Sequence, residues 1–309
     1  MPRSAAESGE ARQNARNGAR QVVTPALLRG WPLPPPGEDK RDRGSVLVIG
    51  GAARTPGAAL LAGLAALRAG AGRLQLAVAA AAASPMAIAV PEALVLPLPF
   101  DEASGSVEAE AADAVRDLAA RADVVCLGPG LDDPDRTEGL VAGVLALLGD
   151  RTRLVVDAYA LGTLPARTEL CTGLGGRLVL TPNTAEAGVL LDAEPPSPDE
   201  VEAASLAIAD RYRAVVALRG AVATPDGRVF VDGAGQAGLG TSGSGDVLAG
   251  VVAGLLARGA EPDQAAVWGA HLHAAAGERL AARVGPLGYL ARELLDETPR
   301  VLAELSVEY

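Results

Sequence analysis

Five segments of this chain constrain its fold more than any other feature: "SVLVIG" (45–50), "DVVCLGPG" (123–130), "RLVVDA" (153–158), "RLVLTP" (177–182) and "AVVALRG" (214–220). Each carries an apolar run of strand length with no polar alternation. Strands read this way when both faces are covered, as in a parallel sheet between two layers of helices. "RLQLAVA" (73–79) is a further strand. The longest apolar stretch, 77–100, is interrupted by Pro85, Pro91, Glu92, Pro97 and Pro99. It therefore reads as a strand, a short helix and an extended segment, and not as a membrane span. Helical patterns occupy 57–72, 108–121, 136–148, 184–191, 198–211, 243–258, 262–283 and the region near 289–304. This alternation predicts an α/β chain: a three-layer α/β/α domain with a mainly parallel central sheet. The polar residues 1–20 read as a disordered tail without the apolar core of a signal peptide, and 21–309 as the domain. "WPLPPPGEDKRDRG" (31–44) reads as a lead-in loop.

Only 3% of the 309 residues are aromatic, so the core must be built from Ala, Val and Leu. Two cysteines, Cys126 and Cys171, form no disulfide framework or metal spacing and fit a reducing, cytoplasmic setting. Cys126, inside an apolar run, reads as a small core residue. The net charge of −11 argues against nucleic acid as a partner. Residues 1–43 hold eight basic and five acidic residues, leaving 19 basic and 33 acidic residues for the remainder. An anion bound there must be held by local backbone donors.

"GLGTSGSGDVLAGVVAGLLARG" (238–259) supplies such donors. Its glycines allow positive φ and close approach to a ligand. A helix starting near Gly243–Gly245 offers free N–H groups and the positive end of its dipole. Asp246 lies in the first turn, and taken alone it is equally well a helix-start acid beside a flexible loop. A Walker A loop is ruled out, because Lys40, in the lead-in loop, is the only lysine in the chain. "GGAARTPG" after the first strand does not form the G-x-G-x-x-G fingerprint. His271 and His273, two residues apart on one helix, point about 200° apart and do not share a metal easily. Both are helical, which leaves a hydrolase triad without a loop histidine.

Six motifs occur in a set order. They are "GSVLVIGGAARTPGAALLAGLAALRAGAGRLQLAV", "LGPGLD", "LVVDAYAL", "LTPNTAEAGVLL", the glycine-rich stretch above and "AAVWGAHLHAAAGERLA". Together they resemble the ADP/ATP-dependent NAD(P)H-hydrate dehydratases, the C-terminal unit of the YjeF-type repair proteins, from about Val23 to Leu305. The resemblance implies a ribokinase-like fold. It implies phosphorylation of the hydroxyl of hydrated NADH or NADPH by ADP or ATP with Mg²⁺, then loss of phosphate. Asp246 would accept the hydroxyl proton, and Gly243, Ser244 and Gly245 would cradle the transferred phosphoryl group. Ala58, Gly130, Asn183 and Asp246 match substrate positions, and Arg219 and Gly220 match nucleotide positions. It further implies a homo-oligomer, and an epimerase activity on a separate chain where that activity is needed.

The chain departs from that pattern in four places. Asn183, in "NTAE", stands where the family has a histidine, although Glu186 is kept. Arg219 replaces a lysine, and its planar fork is not equivalent to an ammonium group. "RGAVATPDG" is about three residues shorter than the family's nucleotide hairpin, and "DGAGQ" (232–236) replaces "NPTGN". These changes leave two further readings open: a paralogue acting as kinase or dehydratase on another small hydroxylated substrate, and a non-catalytic nucleotide-binding homologue.

Overall fold

The computed structural model describes residues 20–35, 37–235 and 237–306. The strands are β1 Arg20–Val22, β2 Ser45–Ile49, β3 Arg73–Ala79, β4 Ala93–Leu98 and β5 Val124–Leu127, followed by β6 Arg153–Val156, β7 Leu178–Leu180, β8 Val215–Leu218, β9 Ala221–Ala223 and β10 Val229–Val231. They form one sheet in the order β1-β10-β9-β8-β7-β6-β5-β2-β3-β4. All neighbours are parallel except β9, which runs antiparallel to β8 and β10. The helices are α1 Pro25–Gly30, α2 Pro56–Arg68, α3 Ala80–Ala89, α4 Ala111–Ala119, α5 Pro134–Leu147 and α6 Thr168–Thr172, then α7 Thr184–Leu191, α8 Val201–Tyr212, α9 Ser244–Ala257, α10 Pro262–Val284 and α11 Ala291–Ser306.

The two-sided burial expected of the strands is visible residue by residue. Val46 and Val48 of β2 join one core and Leu47 and Ile49 the other; Val124 and Cys126 of β5 separate from Val125 and Leu127 in the same way. One core packs the sheet against α2, α9, α10 and α11, and the other against α4, α5, α7 and α8. Small residues allow the helix layer to close tightly. An added Cβ on Gly250 would stand 2.1 Å from the Ala62 carbonyl oxygen, and one on Gly254 would stand 2.3 Å from that of Ala66. Because α9 and α2 touch backbone to backbone, their N-termini open at the same edge of the sheet.

Several strands are shorter than the segments quoted from the sequence. β6 stops at Val156 and β8 at Leu218, where the next turn places Ala158 at φ 53 and Arg219 at φ 46. Left-handed backbone cannot continue a ladder. Residues 158–167, which give no clear sequence signal, form a 3₁₀ segment. β1 and α1 also lay outside the sequence reading, although Thr24 and Pro25 carry the usual signal for a helix start. Thr24 Oγ1 accepts from the Leu27 N–H at 3.1 Å, with Pro25 at the first helical position. The tail expected over 1–20 lies outside the described residues except for Arg20. That residue begins β1 and forks onto Glu202 at 2.9 and 3.0 Å.

Candidate active site

Strand order fixes where a ligand can sit. The chain runs β2-β3-β4 to one side and then returns to place β5 on the other side of β2. In open α/β sheets, ligands bind at the carboxyl ends of the strands flanking such a switch. The loops after β2 and β5 are laced together there. The Gly51 N–H donates to Pro129 O (2.8 Å) and the Ala52 N–H to Gly130 O (2.8 Å). The Thr55 hydroxyl also donates to Gly130 O at 2.8 Å. Gly130 has φ 79, and a Cβ there would meet Thr55 O at 2.4 Å and the Ala58 Cβ at 3.1 Å. Ala58 and Gly130 are thus brought side by side.

The glycine-rich loop closes the same edge. Gly243, at φ 88, is the N-cap of α9, and a Cβ on it would meet Leu61, one turn beyond Ala58 in α2. Among the described residues, no acceptor meets the N–H groups of Gly243, Gly245 or Asp246. The Ser244 N–H instead donates to Thr241 O at 3.2 Å, and Ser244 Oγ lies 2.9 Å from His273 Nε2. The cradle offered to an anion is therefore Gly243, Gly245 and Asp246, with Ser244 turned into the core. Burial holds the His273 imidazole at a pKa of about 4, so it is neutral at physiological pH.

Three carboxyl groups converge on the rim. Asp246 sits in the first turn of α9. Burial and the neighbouring Glu186 raise its pKa to about 6. Asp157, at the end of β6, is only 4% exposed, and its Oδ1 accepts from the Thr181 hydroxyl at 2.8 Å. Burial, Asp246 and Glu186 raise it to about 8. Burial also raises Glu186. Sequence reasoning noted Glu186 as retained and passed over Asp157. The available signal was an acid placed directly at the carboxyl end of a buried strand. Among the described residues, no three His, Cys, Asp or Glu residues are grouped to hold a metal. Mg²⁺, however, is usually bound by one or two carboxylates together with substrate phosphates. Asp157 and Glu186 are candidates for that role, because burial and crowding raise both carboxyl groups and a bound cation would offset the charge that they otherwise shed by holding a proton. A cleft of about 360 Å³ opens beside them, with Ala158, Tyr159, Val189 and Glu186 in its walls.

Asn183 is exposed and forms a capping box with Glu186 at the start of α7. Its Oδ1 accepts from the Glu186 N–H (2.9 Å), while Glu186 Oε2 accepts from the Asn183 N–H (2.8 Å). Asparagine is among the best N-cap residues, so this position both starts a helix and orients Glu186. Arg219 and Gly220 follow β8, the strand next to β7. They form the two-residue turn joining β8 to β9, with φ of 46 and 81, as in a type I′ turn. The shortened hairpin continues through Thr224–Gly227 into β10. Its end residue Asp232 bonds to His271, Nδ1 to Oδ2, at 2.8 Å. The two histidines thus have separate partners.

The family profile described as NAD(P)H-hydrate dehydratase matches residues 46–300. The ADP-dependent (S)-NAD(P)H-hydrate dehydratase of Xanthomonas campestris pv. campestris is 46% identical over 295 residues, covering 92% of this chain and 97% of that protein. The bifunctional NAD(P)H-hydrate repair enzyme of Moorella thermoacetica is 39% identical over 272 residues; the match covers 86% of this chain and only 50% of that longer protein. The solved ADP/ATP-dependent NAD(P)H-hydrate dehydratase of Bacillus subtilis, co-crystallised with ATP and Mg²⁺, has the same fold. Its TM-score is 0.76 at 24% identity, covering 92% of this chain and 98% of that one. A ribokinase-like protein of Enterococcus faecalis also superposes with a TM-score of 0.76 at 22% identity, covering 93% and 97%. The fold is therefore ribokinase-like, and the chain belongs to the NAD(P)H-hydrate dehydratase family.

Proposed function

We propose that this protein restores hydrated NADH or NADPH in a reaction that consumes ADP or ATP. The observation that carries the reading is the position of Asp246. It is a half-buried carboxylate in the first turn of α9, beside three backbone donors that meet no acceptor among the described residues, at the edge where Ala58 and Gly130 meet. With a pKa of about 6 it is mostly ionised at neutral pH. It can therefore take the proton of the ring hydroxyl as that oxygen forms its bond to the terminal phosphorus of the nucleotide. The phosphorus–oxygen bond to the rest of the nucleotide breaks, and the nucleotide leaves with one phosphate fewer. The N–H groups of Gly243, Gly245 and Asp246 face the transferred group and stabilise its charge. The ring-nitrogen lone pair then expels phosphate, and the neighbouring ring carbon releases a proton to restore the double bond.

Arg219 and Gly220 would contact the nucleotide, and Asn183, through Glu186, would shape the substrate side. Asp157 and Glu186 would hold Mg²⁺, which when bound supplies charge neutralisation at the phosphates. The cleft lined by Tyr159 and Val189 gives the rest of a dinucleotide room beside the carboxylates. ADP is the preferred donor in this reading, in keeping with the name of the Xanthomonas relative. A homo-oligomer, and cooperation with a separate epimerase chain, belong to the same proposal. Among the described residues, no helix is long and apolar enough to cross a membrane.

The test is to supply hydrated NADH with ADP or ATP. The expected result is recovery of the near-ultraviolet absorbance of the reduced nicotinamide, with stoichiometric release of inorganic phosphate. A stable phosphorylated product without recovered absorbance would instead identify a kinase. No change with either nucleotide would remove the catalytic reading.

A further inference from the structure

The two histidines, which the chemistry above does not use, both lie on α10. This 23-residue helix is fixed in the core by Trp268, Leu272, Ala276 and Leu280. His273 reaches the phosphoryl loop, with Nε2 2.9 Å from Ser244 Oγ and 3.0 Å from the Ser244 carbonyl oxygen. His271 reaches the nucleotide hairpin through Asp232. The Asp232 side chain is 4% exposed and that of His271 is 10% exposed, so water barely competes for their 2.8 Å contact. Asp232 is a hub. Its N–H donates to Gly220 O at 2.7 Å, and its Oδ1 accepts from the Ala234 N–H at 2.9 Å. Two turns along α10, Glu278 Oε1 accepts from the Gly235 N–H at 3.2 Å. Residues 271 and 278 share a helix face, so 232–235 is pinned at both ends to one rigid element.

We propose that His271 is a positioning residue for the phosphoryl donor, holding the Arg219–Gly220 turn in its binding conformation through Asp232. This inference rests on the assignment of that turn to the nucleotide. The turn needs such a brace, because Arg219 sits at φ 46, a backbone region that costs energy for a residue with a Cβ. The shortened hairpin has little length of its own to fold over a ligand. Removing the imidazole leaves the Asp232 carboxylate buried without its partner. The carboxylate then turns toward water, the backbone at 232 shifts with it, and the bond from the Asp232 N–H to Gly220 O loosens. A turn that holds the competent shape for only a fraction of the time weakens apparent affinity by that fraction. Chemistry at Asp246, on α9, is left intact.

The experiment measures ADP and ATP binding calorimetrically with Mg²⁺ present, and in parallel measures turnover of hydrated NADH. The proteins are wild type, His271→Leu, His271→Asn and Asp232→Asn. His271→Leu should weaken ADP binding about tenfold, the loss when the turn is competent roughly a tenth of the time, with kcat and the KM for hydrated NADH unchanged. His271→Asn, whose amide can donate from nearly the Nδ1 position, should restore most of the affinity. Asp232→Asn, which keeps the shape and removes the charge, should fall between wild type and His271→Leu. That graded variant decides the matter if the leucine variant does not fold. Wild-type affinity in the leucine and Asp232→Asn variants overturns the proposal, as does a fall in kcat accompanied by an equal rise in the KM values for ADP and for hydrated NADH. Absence of ADP and ATP binding by the wild type overturns both this inference and the proposed function. Normal wild-type binding with unaffected variants overturns this inference alone.

Discussion

Asp157 gives the account a quantitative consequence. Its carboxyl is raised from 3.8 to about 8 by burial and by Asp246 and Glu186, against the opposing hydrogen bond from Thr181. The folded state therefore binds its proton more tightly than the unfolded chain. Stability from this group is fully present below about pH 4 and is lost as pH rises toward 8. Asp157→Asn keeps the side-chain shape and removes the titration. At pH 7 the lifted penalty is at most about 4 kcal/mol, from some three pH units at 1.36 kcal/mol each. At about 2 °C per kcal/mol for a chain of this size, the variant should melt about 8 °C above wild type. At pH 4 the difference should shrink to near zero. The assay is thermal denaturation of both proteins from pH 4 to 8 in chelator, without nucleotide. A melting difference that is flat across that range, or largest at pH 4, would refute the electrostatic picture of the carboxylate cluster. Added Mg²⁺ should narrow the gap at pH 7 by stabilising the wild-type carboxylate.

Four other outcomes follow from the same geometry. Dehydration should lose kcat/KM below an apparent pKa near 6 as Asp246 takes up its proton; a profile flat down to pH 5 would remove Asp246 as the base. Gly254→Ala places a Cβ 2.3 Å from Ala66 O and should cost about 3 kcal/mol by forcing α9 off α2; an unchanged denaturant midpoint would contradict the packing. Asn183→Ala removes half of the capping box and should cost about 1 kcal/mol, whereas Asn183→Ser should retain most of the stability in the same chemical-denaturation assay. Arg219→Asn relieves a strained residue at a position where asparagine is at ease; it should leave the melting temperature unchanged or raised while the KM for ADP rises.

Local chemistry was legible in the sequence and long-range geometry was not. The runs around Val46–Ile49 and Val124–Leu127 announced strands buried on both faces, because each residue must satisfy one of two cores. The order of those strands has no local signature, and only that order places Ala58 beside Gly130. Asp246 could be found because its helix start and glycines lie within a few residues. Asp157 and Glu186 reach it only because β6 and β7 are adjacent parallel strands whose ends turn to the same edge. Asn183 was legible as a substrate position with an altered side chain; that it also caps α7 and orients Glu186 is seen only in the structure. The divergence of His271 and His273 follows from helix geometry alone. Their partners, Asp232 and Ser244, depend on where α10 crosses the two loops, which no local pattern encodes.

The most direct test is single-turnover dehydration of hydrated NADH by the wild type and by Asp246→Asn, with ADP and Mg²⁺ at saturation. The wild type should recover the reduced-nicotinamide absorbance only when nucleotide is present. The asparagine variant should bind ADP normally and turn over about a thousandfold more slowly, the range expected for loss of a positioned base. Wild-type rates in Asp246→Asn, or recovery that needs no nucleotide, would contradict phosphoryl transfer at the head of α9.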